Sequence, residues 1–204
     1  MTPQPTVFVV DDDPAIRKLI ERLAESVGLI VEGYASAEDF LSAFDTARPG
    51  CLVLDLELPG MSGLELQREL AARGIRTPVL FISGFADVPK ALRAMKAHAL
   101  DFLVKPFSNE VLLGRIQEAI QRDAQERVNR AACDTGRTML ARLTPRERQV
   151  MDLVVQGKPN KQIAVQLGLS KKTIETHRAK LMKKVGAENV ADLVRIAMLS
   201  DQLR

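Results

Sequence analysis

In 204 residues there are only two cysteines, two histidines, one tyrosine and no tryptophan. Cys51 falls in a short apolar run and Cys133 in a polar stretch far from it, which argues against a disulfide and for a reducing, cytoplasmic setting. His98 and His177 stand alone, and no Cys/His group has zinc spacing. No apolar run is long enough to span a bilayer, so no membrane partner is expected. The opening Met1-Thr2-Pro3-Gln4-Pro5 lacks the basic-then-apolar order of a signal peptide. What is present is an ordinary globular mixture, 46% hydrophobic and 27% charged, in a length suited to one large or two small domains.

The net charge of +3 hides an asymmetry. Residues 1–122 hold 13 Lys+Arg against 17 Asp+Glu, residues 123–140 are balanced, and residues 141–204 hold 13 against 6. A mildly acidic front piece is joined to a basic tail. Such a tail points to nucleic acid, although a solvated basic face needs no ligand.

The front piece is organised around Cys51-Leu52-Val53-Leu54-Asp55, followed by Pro59-Gly60. The apolar run is too short for a helix and reads as a buried strand, with Asp55 where the strand meets a loop. Thr6–Val10, Leu29–Tyr34, Pro78–Ile82 and Asp101–Val104 read as further strands. Helices are predicted between them. One carries Ile16, Leu19, Ile20, Leu23 and Val27 and stops at Gly28; one follows Ser36, one follows Gly63, and one covers Val88–Ala97. A last helix is capped by Ser108 or Asn109. This alternation predicts a doubly wound flavodoxin-like α/β fold, with five parallel strands in the order 2-1-3-4-5.

That order brings Asp11, Asp12, Asp55, Ser83 and Lys105 to one edge of the sheet. Singly, each has a plain explanation: a turn, a helix cap, or compensation of a helix dipole. Jointly, at the ends of four different strands, they point to phosphoryl chemistry. Clustered carboxylates repel, and an oxygen-only donor set favours Mg2+. Asp55 is the candidate nucleophile, with Lys105 and Ser83 toward phosphoryl oxygens.

Val9-Val10-Asp11-Asp12-Asp13, Leu54-Asp55 through Gly63, Ile82-Ser83-Gly84 and Lys105-Pro106-Phe107 resemble the receiver domain of bacterial two-component response regulators. The resemblance implies that Asp55 accepts phosphate from a sensor histidine kinase. It implies that Asp12, Asp55 and the backbone carbonyl of Glu57 ligate Mg2+, with Asp11 acting through water. Ser83, Phe102 and Lys105 are then the switch residues. His98 stands where the family usually has glycine, and Glu57 and Phe85 flank the site where the family tunes phosphate lifetime. Apart from slow loss of its own phosphate, no turnover is expected.

Beyond the last receiver helix, Gln121 to Arg130 has almost no apolar stripe. It suits a solvated helix or a tether; a helix to about Ala132 is favoured, with a looser join near Asp134-Thr135-Gly136. The tail is a small four-helix unit. Thr144 caps a helix with Glu147 as its box partner, and Val150, Met151, Leu153 and Val154 face inward. A short helix carries Ile163, Ala164 and Leu167. Gly168-Leu169-Ser170 turns the chain into a longer helix whose inner side is Ile174, Leu181 and Val185, and a fourth helix covers Val190–Leu199. Short helix, glycine turn and basic helix form a helix-turn-helix, whose second helix enters the major groove. Lys171, Lys172, Glu175, Thr176, Arg178, Ala179 and Lys180 are the expected DNA contacts, Glu175 as an acceptor toward a cytosine amino group.

Thr144-Pro145-Arg146-Glu147, Asn160-Lys161-Gln162-Ile163-Ala164 and Thr173 through Arg178 resemble the helix-turn-helix domain of the LuxR/FixJ/NarL class. The chain thus divides into a receiver (1–122), a helical linker (123–140) and a LuxR-type DNA-binding domain (141–204). The expected function is a response regulator that is phosphorylated, forms a homodimer and binds promoter DNA, with RNA polymerase as a further partner. Unphosphorylated, the receiver either masks the tail or fails to dimerise. One rival is a phosphatase or phosphotransferase using Asp55 as a covalent intermediate, with Glu57 in the general acid's place; the lack of a cap domain and the basic tail count against it. A receiver that works without phosphate would have little need of the full acidic pocket.

Overall fold

A computed structural model describes residues 4–84 and 99–201. The expected helix Val88–Ala97, Phe85 and His98 lie outside the described residues. The chain divides into two compact units, Met1–Glu126 and Arg127–Arg204.

The first unit is built on a five-stranded sheet: β1 (Thr6–Val10), β2 (Ile30–Tyr34), β3 (Gly50–Asp55), β4 (Val79–Ser83) and β5 (Asp101–Val104). Its order is β2-β1-β3-β4-β5, with every pairing parallel, as the alternating pattern predicts. The central strands β1, β3 and β4 are buried throughout, which is why they read as unbroken apolar runs. Helices α1 (Pro14–Glu25), α2 (Ala37–Ala43), α3 (Gly63–Ala72) and α4 (Asn109–Ala141) complete the described elements around it.

One sheet face packs Phe8, Phe40, Leu52, Leu54, Leu66 and Phe81, with Phe8, Phe40 and Phe44 meeting at ring distances of 4.7–5.9 Å. The other packs Val7, Val9, Ile20, Val53, Leu80, Leu112 and Ile116. Cys51 lies wholly inside, where burial, with the Asp123 charge adding to it, pushes its thiol up to about 12.

Local signals set the turns. Asp13 caps α1 by accepting from the Ala15 N–H, and Ser36 caps α2 through the Asp39 N–H. Ser62 and Glu65 form a full capping box on α3. Gly63 is needed for close approach: a Cβ there would collide with the Asp55 carbonyl.

The structure corrects three expectations. Helix α1 ends at Glu25, short of Gly28, and Leu19 and Val27 of its predicted apolar face are exposed. Helix α4 does not loosen near Asp134 but runs unbroken to Ala141. Cys133, expected in a polar stretch, is buried, because α4 keeps one inward stripe through Cys133, Gly136 and Leu140.

The second unit contains the end of α4 and four helices: α5 (Pro145–Val155), α6 (Asn160–Leu167), α7 (Lys171–Val185) and α8 (Val190–Asp201). Its core joins Leu140, Val150, Val154, Ile163, Ile174, Leu181 and Leu193. Thr144 and Glu147 form the predicted capping box, Gly168 takes the left-handed conformation that ends α6, and Ser170 caps α7. No described helix is long and apolar enough to cross a membrane.

Candidate functional site

Register places the site. Because β1, β3 and β4 run parallel, their carboxyl ends meet at one edge: Asp11 follows β1, Asp55 ends β3 and Ser83 ends β4. Lys105 follows β5, and its N–H donates to the Ser83 carbonyl at 2.7 Å. Residues far apart in sequence thereby become neighbours. Carboxylate oxygens of Asp11, Asp12 and Asp55 lie within 4.8 Å of one another. The Lys105 ammonium donates to Asp11 Oδ2 and Asp55 Oδ2, both at 2.7 Å.

Each acidic group is held by its surroundings. Asp11 is wholly buried; its Oδ1 accepts the Asp13 N–H at 2.9 Å, and its carbonyl accepts Arg17 Nη1 at 2.6 Å. Asp55 is 6% exposed, and its Oδ1 accepts the Glu57 N–H at 3.1 Å. Asp12 faces solvent. Burial raises the Asp11 pKa, outweighing the hydrogen bonds from Lys105 and the Asp13 amide that pull it down. Burial also works against the Lys105 ammonium, but its bonds to Asp11 and Asp55 prevail and its pKa rises.

The remaining switch candidates are near by different routes. Ser83 is fully buried at the end of β4. Phe102, in β5 beside Phe81, is half-buried against the Phe8–Phe40 cluster. Glu57 is exposed in the loop after β3. Glu38 of α2 was not singled out by the motifs; its Oε1 accepts the Met61 N–H at 3.1 Å and so braces the loop that follows Asp55.

Three carboxyl groups converge where one lysine bonds two of them. The donors are all oxygen, and Asp12 is open to water. A hydrated divalent cation such as Mg2+ fits that set.

The second unit offers a different surface. Ile174, Leu181 and Val185 turn inward from α7, leaving Lys171, Lys172, Glu175, Thr176, Ala179 and Lys180 exposed on its outer side. Glu175 pairs loosely with Lys171 at 3.7 Å, and the Thr176 hydroxyl donates back to the Lys172 carbonyl. Arg178 differs from the others. It is half-buried, and its Nη1 donates to Asn160 Oδ1 at 2.6 Å, which ties α7 to the start of α6. In the first turn of α5, Glu147 accepts from Lys184 of α7 at 2.6 Å and from the Thr144 N–H at 2.8 Å. The Lys184 bond first, then the Thr144 amide, hold its carboxyl down at about 2.

Residues 7–117 match the family described as response regulator receiver domain, and residues 141–197 match bacterial regulatory proteins of the luxR family. The response regulator protein TmoT of Ectopseudomonas mendocina is 41% identical over 97% of this chain and 90% of its own. The transcriptional regulatory protein FixJ of Azorhizobium caulinodans is 43% identical over 95% of this chain and 92% of its own. Among solved structures, the response regulator StyR superposes with a TM-score of 0.84 at 42% identity, covering 96% of this chain and 98% of its own.

Proposed function

This chain belongs to the response regulators of transcription, a receiver domain followed by a LuxR-family DNA-binding domain, and from that premise we propose that a phosphoryl group on Asp55 controls its grip on DNA. The observation that carries this reading is the edge at which Asp11, Asp12 and Asp55 converge, with Lys105 touching two of them.

The donor is the phosphohistidine of a sensor kinase. A carboxylate oxygen of Asp55 attacks phosphorus; the new O–P bond forms as the P–N bond breaks, and the histidine nitrogen keeps the electron pair. Asp12, Asp55 and the Glu57 carbonyl would hold Mg2+, with Asp11 acting through water. Bound there, the ion supplies positive charge to the phosphoryl oxygens. Lys105, already beside Asp55 Oδ2, adds its own. The Ser83 hydroxyl donates to a phosphoryl oxygen once one is present, and Phe102 moves inward behind it. The altered receiver face pairs with a second copy. Two α7 helices then meet a two-fold-related promoter site, where RNA polymerase is the further partner. Lys171, Lys172, Arg178 and Lys180 supply affinity, while Glu175, Thr176 and Ala179 meet base edges. The setting for all of this is the cytoplasm.

The test measures oligomeric state and DNA affinity with and without acetyl phosphate and Mg2+, for wild type and Asp55→Asn. The wild type is expected to dimerise and bind more tightly, and the variant to stay unchanged. A wild type indifferent to the donor sinks the phosphorylation mechanism.

A further inference from the structure

The buried stripe of α4 ends the first unit on a charge. Its inward positions there are Leu112, Ile116, Ala119 and then Asp123, the helical spacing of one face. The first three are apolar, and Asp123 is only 1% exposed. Burying a carboxylate is far costlier than burying the leucine that the stripe would otherwise carry. What the carboxylate adds is direction. Its Oδ2 accepts a 2.9 Å hydrogen bond from the Gly50 N–H, across 73 residues of sequence.

Gly50 is the first residue of β3, the strand whose last residue is Asp55. Its φ is +148°, and a Cβ there would collide with the Thr6 carbonyl, so this place is reserved for backbone. Strand β3 is buried along its whole length, laddered to β1 over Gly50–Leu54 and to β4 over Leu52–Asp55, so close packing holds its backbone from one end to the other. Three residues past Asp123 the first compact unit ends at Glu126, while α4 continues to Ala141.

We propose that Asp123 is a positioning residue for output: its bond to Gly50 fastens α4 to the strand that carries Asp55, so that a change at the carboxyl end of β3 reaches α4 through the amino end. The inference rests on phosphoryl transfer to Asp55 as read above.

The test uses the full chain as wild type, Asp123→Ala and Asp123→Asn, each with Mg2+ and acetyl phosphate. Asparagine keeps a carbonyl acceptor for Gly50; alanine does not. Three quantities are read: the phosphorylated fraction on a phosphate-affinity gel, amide exchange at Gly50, and affinity for a labelled duplex selected from random DNA by the phosphorylated wild type. All three proteins are expected to take up phosphate at the same rate. Gly50 exchange rises in the alanine variant. The phosphate-dependent tightening on DNA shrinks by about ten-fold there, within the usual range of coupling between sites, and returns in the asparagine variant.

An alanine variant that tightens on DNA as the wild type does overturns the inference and leaves phosphorylation of Asp55 standing. So does one that is unfolded or refuses phosphate, because a purely structural residue behaves that way. An asparagine variant that takes phosphate but behaves on DNA like alanine removes the role of the Gly50 bond. A wild type that takes up no phosphate overturns the reading of Asp55 and this inference with it.

Discussion

Asp55 and Glu147 are both buried carboxylates that accept a lysine ammonium, at 2.7 Å from Lys105 in the first unit and 2.6 Å from Lys184 in the second. Their surroundings differ. Asp55 shares its lysine with Asp11 and has Asp12 close by, so negative charge is in excess. Among the described residues Glu147 has Lys184 to itself, and it takes the Thr144 amide and hydroxyl as well. An under-compensated acidic cluster at a sheet edge invites a cation and an electrophile. A carboxylate paired with its own lysine and bonded to the helix start is a joint between helices. The contrast extends to the surfaces: the receiver brings three carboxyl groups to one sheet edge, and the tail turns Lys171, Lys172 and Lys180 outward along α7.

The largest expected effect tests the first half of that contrast. Asp55→Asn should abolish phosphoryl uptake, read as loss of the shifted gel band, while the second unit's amide exchange stays unchanged. Next, Gly63→Ala should push a Cβ into the Asp55 carbonyl and destabilise the receiver by about 2–3 kcal/mol. Hydrogen exchange resolved by unit would show that loss in the receiver peptides alone; an equal loss in the tail would break the separation of the two units.

A smaller effect is expected from Glu147→Ala, which removes a cap and a buried ion-pair partner at a cost of about 1–3 kcal/mol to the second unit. Its acid dependence follows from the sign of the shift. A carboxyl held at about 2, against an ordinary 4.5, contributes stability that is full above the ordinary value and is lost as pH falls toward 2. Acid titration of the tail's helical signal should therefore show a transition in that window that is absent from Glu147→Gln. The smallest change is electrostatic. Lys172→Ala or Lys180→Ala should weaken DNA binding across all sequences and reduce the salt slope by about one unit each. A changed base preference with an unchanged slope would instead make that lysine a base reader.

Much of this was legible because the signals are local. Thr6–Val10 reads as a strand from its own side chains, and Thr144 with Glu147 announces a helix start within four residues. The Ser62–Glu65 box has the same four-residue spacing, without a proline at its first helical position to mark it. The exposure of Leu19 was not legible, because helical period tells which residues share a face but not how far a neighbour covers it. Nor was the burial of Cys133, since the polar residues around it point the other way from a stripe that recurs only every three or four positions. Asp123 shows the same difficulty in the site's support. It occupies an apolar position of α4, and nothing near it in sequence names Gly50 as its partner.

By itself the sequence determined the order of the described elements, the cap at Thr144, the parallel sheet and the identity of the acidic and basic groups, because those follow from neighbours within a few residues and from alternation along the chain. Tertiary structure alone decided that Lys105 sits between Asp11 and Asp55, that one Arg178 nitrogen donates to Asn160, and that Asp123 holds the first amide of β3. Those are distances between side chains brought together by packing, and no local pattern carries them.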